Sequence, residues 1–179
     1  MEAAQYYTFG AFEFFFVLYA QSIGLNSFLI GIIFGAQLVT VVFVKPLTGW
    51  LSDRFGRKNP IFLGLVCGSV PLIAIPFTNQ FAQLIAISMA YGFGFSLVTS
   101  STTPLASELT HKELYGSTMG FISTIMDVGQ ALGPIITGLI LATSAGFTGA
   151  FASLAVILLG SWTIFLVWTR TKTSPKKLQ

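Results

Sequence analysis

The 179-residue chain is poor in charge: nine lysines and arginines and six acidic residues make up only 8% of it. A soluble domain carries about 25% charged residues, so a surface solvated all round is excluded. Cysteine occurs once, at Cys67 in an apolar stretch, which removes intrachain disulfides and Cys-based metal sites. Histidine also occurs once, at His111 in a charged loop, which removes His-cluster metal chemistry. No His/Asp/Glu cluster and no serine–base arrangement stands out, so neither an enzyme nor a cofactor nor a nucleic-acid partner is expected. The first residues lack a basic segment and a small-residue cleavage site, so the first hydrophobic stretch is expected to remain as a spanning helix.

What the chain has in quantity is apolar side chains, 54% of residues with a mean hydropathy of +0.80. A membrane-spanning helix needs roughly 20 mostly apolar residues to cross a core of about 30 Å. Six stretches meet that need, at about 5–23, 27–51, 60–77, 81–105, 115–142 and 147–169. The expected fold class is therefore an all-α membrane protein, one bundle of six transmembrane helices. Gly24 and Asn26 make the first turn, and Asn59 and Pro60 read as N-cap and first helical residue. Thr78 and Asn79 read as a cap for the fourth helix, Thr110 and Glu113 have capping-box spacing, and Gly146 and Gly149 bracket the last turn.

Basic residues fall on one side. Arg54, Arg57 and Lys58 follow the second stretch, Lys112 the fourth, and Arg170, Lys172, Lys176 and Lys177 the sixth, while the other turns hold none. By the positive-inside rule those ends and both termini are expected in the cytoplasm, with 170–179 a basic tail and the plasma membrane the expected location.

The segment Gly49-Trp50-Leu51-Ser52-Asp53-Arg54-Phe55-Gly56-Arg57-Lys58 closely resembles the G-x-L-x-D-r-x-G-R-[KR] signature of the major facilitator superfamily. That signature occupies the cytoplasmic loop between the second and third helices of a six-helix half. Its chemistry suits a latch. Gly49 lets a neighbouring helix come close, and Asp53 can pair with a nearby arginine or cap an opposing helix N-terminus. Gly56 permits a tight turn, and Arg57 and Lys58 stay at the anionic lipid surface. An ordinary basic loop accounts for Arg54, Arg57 and Lys58 but not for the whole spacing.

A second pattern, Gly120, Gly129, Gly133-Pro134 and Gly138, resembles the superfamily's fifth-helix motif G-x8-G-x3-G-P-x2-G-G, known from proton-coupled drug antiporters, with Thr137 in place of one glycine. Gly129, Gly133 and Thr137 form a small-residue stripe, while Gly120, Asp127, Pro134 and Gly138 share a different face. Pro134 should kink the helix. Generic glycine-rich packing explains the same residues equally well.

Charges inside the spans need a partner, an aqueous cavity or a neutral state, since each costs about 2.5–3.5 kcal/mol to insert. The resemblance implies that the first helix lines a central cavity. Glu13, with Tyr6 and Phe9 on its side of the helix, is then the best candidate for a substrate or proton site. A protonated carboxyl bonded to a backbone or hydroxyl group is the plainer alternative. For Asp127, pairing at a gate comes ahead of substrate contact. Lys45, just before Pro46, is expected to snorkel towards the cytoplasmic surface in a structural role. On the fourth helix Ser96, Ser100 and Thr103 share a face, and bonding to their own or a neighbouring helix is favoured over substrate contact. The 18 phenylalanines are expected mostly to face lipid, with Phe93 and Phe95 able to line an aromatic cavity.

Full facilitators resemble two six-helix halves, so this chain reads as one half. Aligned on Gly92 and Gly94, Ser88 stands where the first half's fourth-helix motif carries arginine. That difference, the immediate start of the first helix and the basic tail favour the second half. The resemblance implies a secondary transporter that moves a small solute by alternating access, with proton-coupled efflux the leading form. Its expected partners are the lipid bilayer, a small-molecule substrate, and a complementary half or second copy of the chain. The alternative is a truncated membrane fragment that moves nothing.

Overall fold

The computed structural model describes residues 1–172, and the expected basic tail, with Arg170, Lys172, Lys176 and Lys177, lies outside the side chains it describes. Six long helices follow one another: α1 (Glu2–Ser22), α2 (Ser27–Phe55), α3 (Lys58–Ala74), α4 (Phe81–Leu109), α5 (Tyr115–Leu141) and α6 (Gly146–Lys172). Short 3-10 turns at Ile75–Phe77 and Lys112–Leu114 precede α4 and α5, and no strand occurs among the described residues.

Five helical segments are long and apolar enough to cross a membrane by length and composition: Ser27–Arg54, Lys58–Phe77, Phe81–Leu109, Lys112–Leu141 and Gly146–Thr169. The sixth expected span, α1, falls short of that measure. Its 21 residues include Gln5, Thr8, Glu13 and Gln21, which dilute the apolar run. This helix is also deep in the bundle, packed chiefly on α5 and further against α6 and α4. A helix sheltered by its neighbours can carry polar groups that a lipid-facing one cannot.

The packing has an internal symmetry. α1 pairs with α5 as α4 pairs with α2, α1 touches α6 as α4 touches α3, and α3 meets α6. Exchanging α1 with α4, α2 with α5 and α3 with α6 relates the main helix pairs, with α3 packed more extensively on α4 than α6 is on α1, the pattern of a three-plus-three repeat in transporter halves. At the centre, Phe12, Phe16, Tyr91, Phe151, Leu65 and Leu154 are fully buried. Phe12 stacks on Tyr91 at 4.4 Å between ring centroids, joining α1 to α4. Outside, Phe28 and Phe43 are each 75% exposed, an apolar surface that suits lipid rather than water. The phenylalanines divide: Phe12, Phe15, Phe16, Phe95, Phe151 and Phe165 are buried in the bundle, while Phe14, Phe28, Phe43, Phe77, Phe93 and Phe121 are exposed.

Several helix ends differ from expectation. α2 and α4 run past 51 and 105, because hydropathy marks where lipid ends rather than where backbone hydrogen bonding ends. Asn26 does cap α2, its side-chain oxygen accepting from the Leu29 amide at 2.9 Å. Asn59, however, lies inside α3, which begins at Lys58 with Arg57 at the N-cap. Gln80 takes the N-cap of α4, while the Thr78 hydroxyl donates back to the Ala74 carbonyl and Asn79 Oδ1 accepts from Tyr19. Thr110 ends α4 instead of starting α5, its hydroxyl donating to Ala106 at 2.7 Å. These short polar side chains bond to nearby groups on the preceding element as readily as they cap the next. Gly149 lies within α6, so only Gly146, with φ of +55°, stands at that turn.

Candidate functional site

At the end of α2 the chain reverses at Gly56, whose φ of +89° lies in the left-handed region that favours glycine. The turn brings Arg57 back over α2, where it forms an ion pair with Asp53 four residues earlier. The same guanidinium reaches α4: Nε and Nη2 donate to Glu108 Oε1 at 2.9 and 2.8 Å. The Glu108 hydrogen bond, ahead of the charge of Glu108 and Asp53, raises the Arg57 pKa above its ordinary value. Both carboxylates remain more than half exposed, so in water the fork contributes about 0–1 kcal/mol. Ser52, Asp53, Gly56, Arg57, Lys58, Asn59 and Glu108 line a cavity of about 430 Å³ beside it. Arg54 stacks over Trp50 at 5.4 Å. No close helix approach is seen at the Cβ side of Gly49: nothing described lies within 4 Å of where its Cβ would stand. Glu108 is the member of this cluster that sequence reasoning missed. Its signal was a carboxylate in the last turn of the fourth helix, on the same side as the basic loop.

The α1–α5 seam is built from main chains in contact. A Cβ on Gly129 would stand 2.6 Å from the Ala3 carbonyl oxygen, and one on Gly133 would meet the Tyr7 carbonyl. Thr137 is fully buried, with its hydroxyl 3.4 Å from the Tyr7 hydroxyl. From the other side, Gly10 admits the carbonyl of Gln130. Pro134 has no N–H to return to that carbonyl, which is why it is free to lie against α1. On the second face of α5, Gly120 and Asp127 are exposed, Pro134 is half-buried, and Gly138 lies beside Phe15.

Glu13 is half-buried and opens into a cavity of about 460 Å³ with Gly10, Phe14, Val17, Leu18, Gln130 and Pro134. Among the described residues no hydrogen bond or ion pair reaches its carboxyl. Tyr6 and Phe9 do not join it there. They turn to α4, where Phe95 lies 5.7 Å from Tyr6 edge-on and 4.5 Å from Phe9 in a stack.

Several hydroxyls of α4 are engaged, while those of Ser88 and Ser101 are buried without a hydrogen-bond partner. Ser96 donates to Gly92, Thr99 to Phe95 and Thr102 to Val98, each at 2.9 Å. Ser100 meets Thr48 of α2 at 2.8 Å, and Thr103 is half-buried. Thr102 also bonds to Glu2, a second carboxylate that sequence reasoning passed over. Lys45 does not follow α2 towards the loop. Its ammonium stands over the Phe95 ring, 5.7 Å from the centroid. No group of His, Cys, Asp and Glu able to hold a metal occurs among the described residues.

A bundle sheathed in apolar side chains, with three-plus-three packing and isolated charges within, is an integral membrane protein built like half of a secondary transporter. The chain belongs to the Major Facilitator Superfamily, whose family model matches residues 2–179. It is 29% identical over 162 residues to the Agnestins efflux protein AgnL12 of Paecilomyces divaricatus, across 89% of this chain and 37% of that protein. It is 26% identical over 145 residues to the Quinolone resistance protein NorA of Staphylococcus aureus, across 79% of this chain and 37% of the relative. The chain thus spans little more than a third of the length of these curated relatives.

Proposed function

We propose that this chain is one half of a solute transporter that exports a small molecule by alternating access, coupled to protons, after association with a complementary half or a second copy. The observation that carries the reading is Glu13, a carboxyl without a protein partner in a cavity between α1 and α5. An ionisable group in a membrane helix is costly and is retained for function. The Asp53–Arg57–Glu108 fork acts as a latch at the cytoplasmic end, holding the loop to α4 in one state and releasing it in the other. Asp127, exposed on α5, is available to pair across the gate, and Ser96, Ser100 and Thr103 serve packing rather than substrate contact. Residues of the loop and both termini face the cytoplasm, and the protein resides in the plasma membrane. The assignment to the second half rests on Ser88 where the first half carries arginine.

The efflux names of the relatives direct the assay. In cells making the assembled transporter, export of a fluorescent quinolone should follow the proton gradient, and Glu13→Gln should abolish that dependence. Unchanged flux and unchanged pH dependence in the variant would remove Glu13 from the mechanism. The second reading, a non-transporting fragment, is favoured by the short span relative to the relatives. Under it no pairing of the chain restores flux.

A further inference from the structure

A cavity of about 510 Å³ lies at the end of the bundle that carries Arg57, between the start of α1, the last turns of α4 and α6, and the first half of α5. Its walls are apolar: Leu105 of α4, Ile122 and Ile125 of α5, and Phe165 and Trp168 of α6. The rings of Phe165 and Trp168 stack with 17° between their planes, which gives one wall a flat aromatic stretch. Phe165 is buried, whereas Trp168 is 37% exposed and stands at the mouth. The polar groups are Glu2 of α1 and Thr102 of α4. The Thr102 hydroxyl bonds to Glu2 Oε1, and Glu2 Oε2 is left buried with no hydrogen-bond partner. Gln5, one turn further along α1, is fully buried with neither amide atom bonded, and the buried Ser101 hydroxyl beside Thr102 is also unbonded. Acceptors held out of water without a donor are costly, so this end of the α1–α4 seam is short of donors. The cavity is separate from the one at Glu13. That residue lies eleven positions further along α1, about 16 Å at 1.5 Å per residue, and the two cavities share no lining residue.

We propose that this cavity binds a small lipophilic aromatic molecule with one neutral hydrogen-bond donor, a phenol being the simplest, whose O–H donates to Glu2 Oε2 while its ring lies along Phe165 and Trp168. Three features select that class. An ionised carboxylate only accepts hydrogen bonds, so the head that completes Glu2 is a donor. The charge of Lys45 already reaches Glu2, so a neutral donor suits the site better than a second cation. The aromatic wall and the branched aliphatic side chains around it favour a flat apolar body, and the volume is in the range that holds small ligands. Every residue of the site belongs to this one chain, so the site stands whether or not the chain transports.

The test is a binding titration on the full chain in nanodiscs of zwitterionic lipid, with uptake by empty nanodiscs subtracted. The probes are 2-naphthol, 2-methoxynaphthalene and 2-naphthylmethylammonium. Naphthol should bind saturably, and the methyl ether, which keeps the rings but lacks the O–H, should bind about tenfold more weakly or worse. The ammonium should also bind more weakly than naphthol. Glu2→Leu should erase the preference for naphthol over the ether, whereas Ile125→Trp, which fills the cavity, should weaken both alike. Circular dichroism of each variant separates lost binding from lost folding. Equal affinity for naphthol and its ether, tighter binding of the ammonium, or an undiminished preference in a folded Glu2→Leu chain would overturn the site. If Glu2→Leu does not fold, undiminished naphthol binding by Ile125→Trp overturns it instead.

Discussion

The two symmetry-related helix pairs, α1 with α5 and α4 with α2, solve the same packing problem with a different distribution of glycine. In the first pair both helices supply it: Gly129 and Gly133 of α5 press on the main chain of α1, and Gly10 of α1 presses on the Gln130 carbonyl of α5. In the second the closest glycine belongs to the central helix, where a Cβ on Gly92 of α4 would stand 3.1 Å from the Gln37 carbonyl oxygen and side chain of α2. The glycines of α2 itself, Gly31, Gly35 and Gly49, have nothing within 4 Å of their Cβ positions. A glycine row therefore marks where backbones can approach, but not which of two helices meets it. Under the proposed pairing with a second half, the row left open on α2 would be a surface for a helix of that half.

Substitutions can break or sharpen this contrast. Gly133→Val should have the largest effect, because the new methyl groups meet main-chain atoms of Tyr7 that cannot move aside. Overpacking of this kind costs about 3 kcal/mol, and thermal unfolding in detergent should show it as a clear loss of stability. Gly92→Val should cost less, about 1–2 kcal/mol, since the Gln37 side chain can yield part of the space. The smallest effect on the isolated chain belongs to Gly35→Val, within about 0.5 kcal/mol. If Gly35→Val destabilised the chain as much as Gly133→Val, the two pairs would not differ in the way described.

Part of this was legible in the residues. Six hydrophobic stretches marked the helices, and the spacing of Gly129, Gly133 and Thr137 marked a stripe for close packing. The partner of that stripe was not legible, because spacing on one helix carries no information about which other helix faces it. The loop signature directed attention to Asp53 and Arg57, yet Glu108 entered only through the fold, since its distance along the chain hides its nearness in space. Lys45 was misread for a physical reason. Snorkelling is the default for a lysine in lipid, and only the position of Phe95 shows that a ring on α4 competes for the ammonium. Helix caps failed most often, at Asn59, Thr78 and Thr110, because short polar side chains serve either of two adjoining elements.

The proposed pairing with a second half implies that the open glycine face of α2 receives a helix from that half rather than lipid alone. Its most direct test is photo-crosslinking in cell membranes with p-benzoylphenylalanine in place of Gly35, compared with the same group at Val70 of α3, which is 60% exposed. The account predicts a discrete protein–protein adduct from position 35 and only lipid adducts from position 70. Lipid adducts alone from position 35, or the same protein adduct from both, would contradict it.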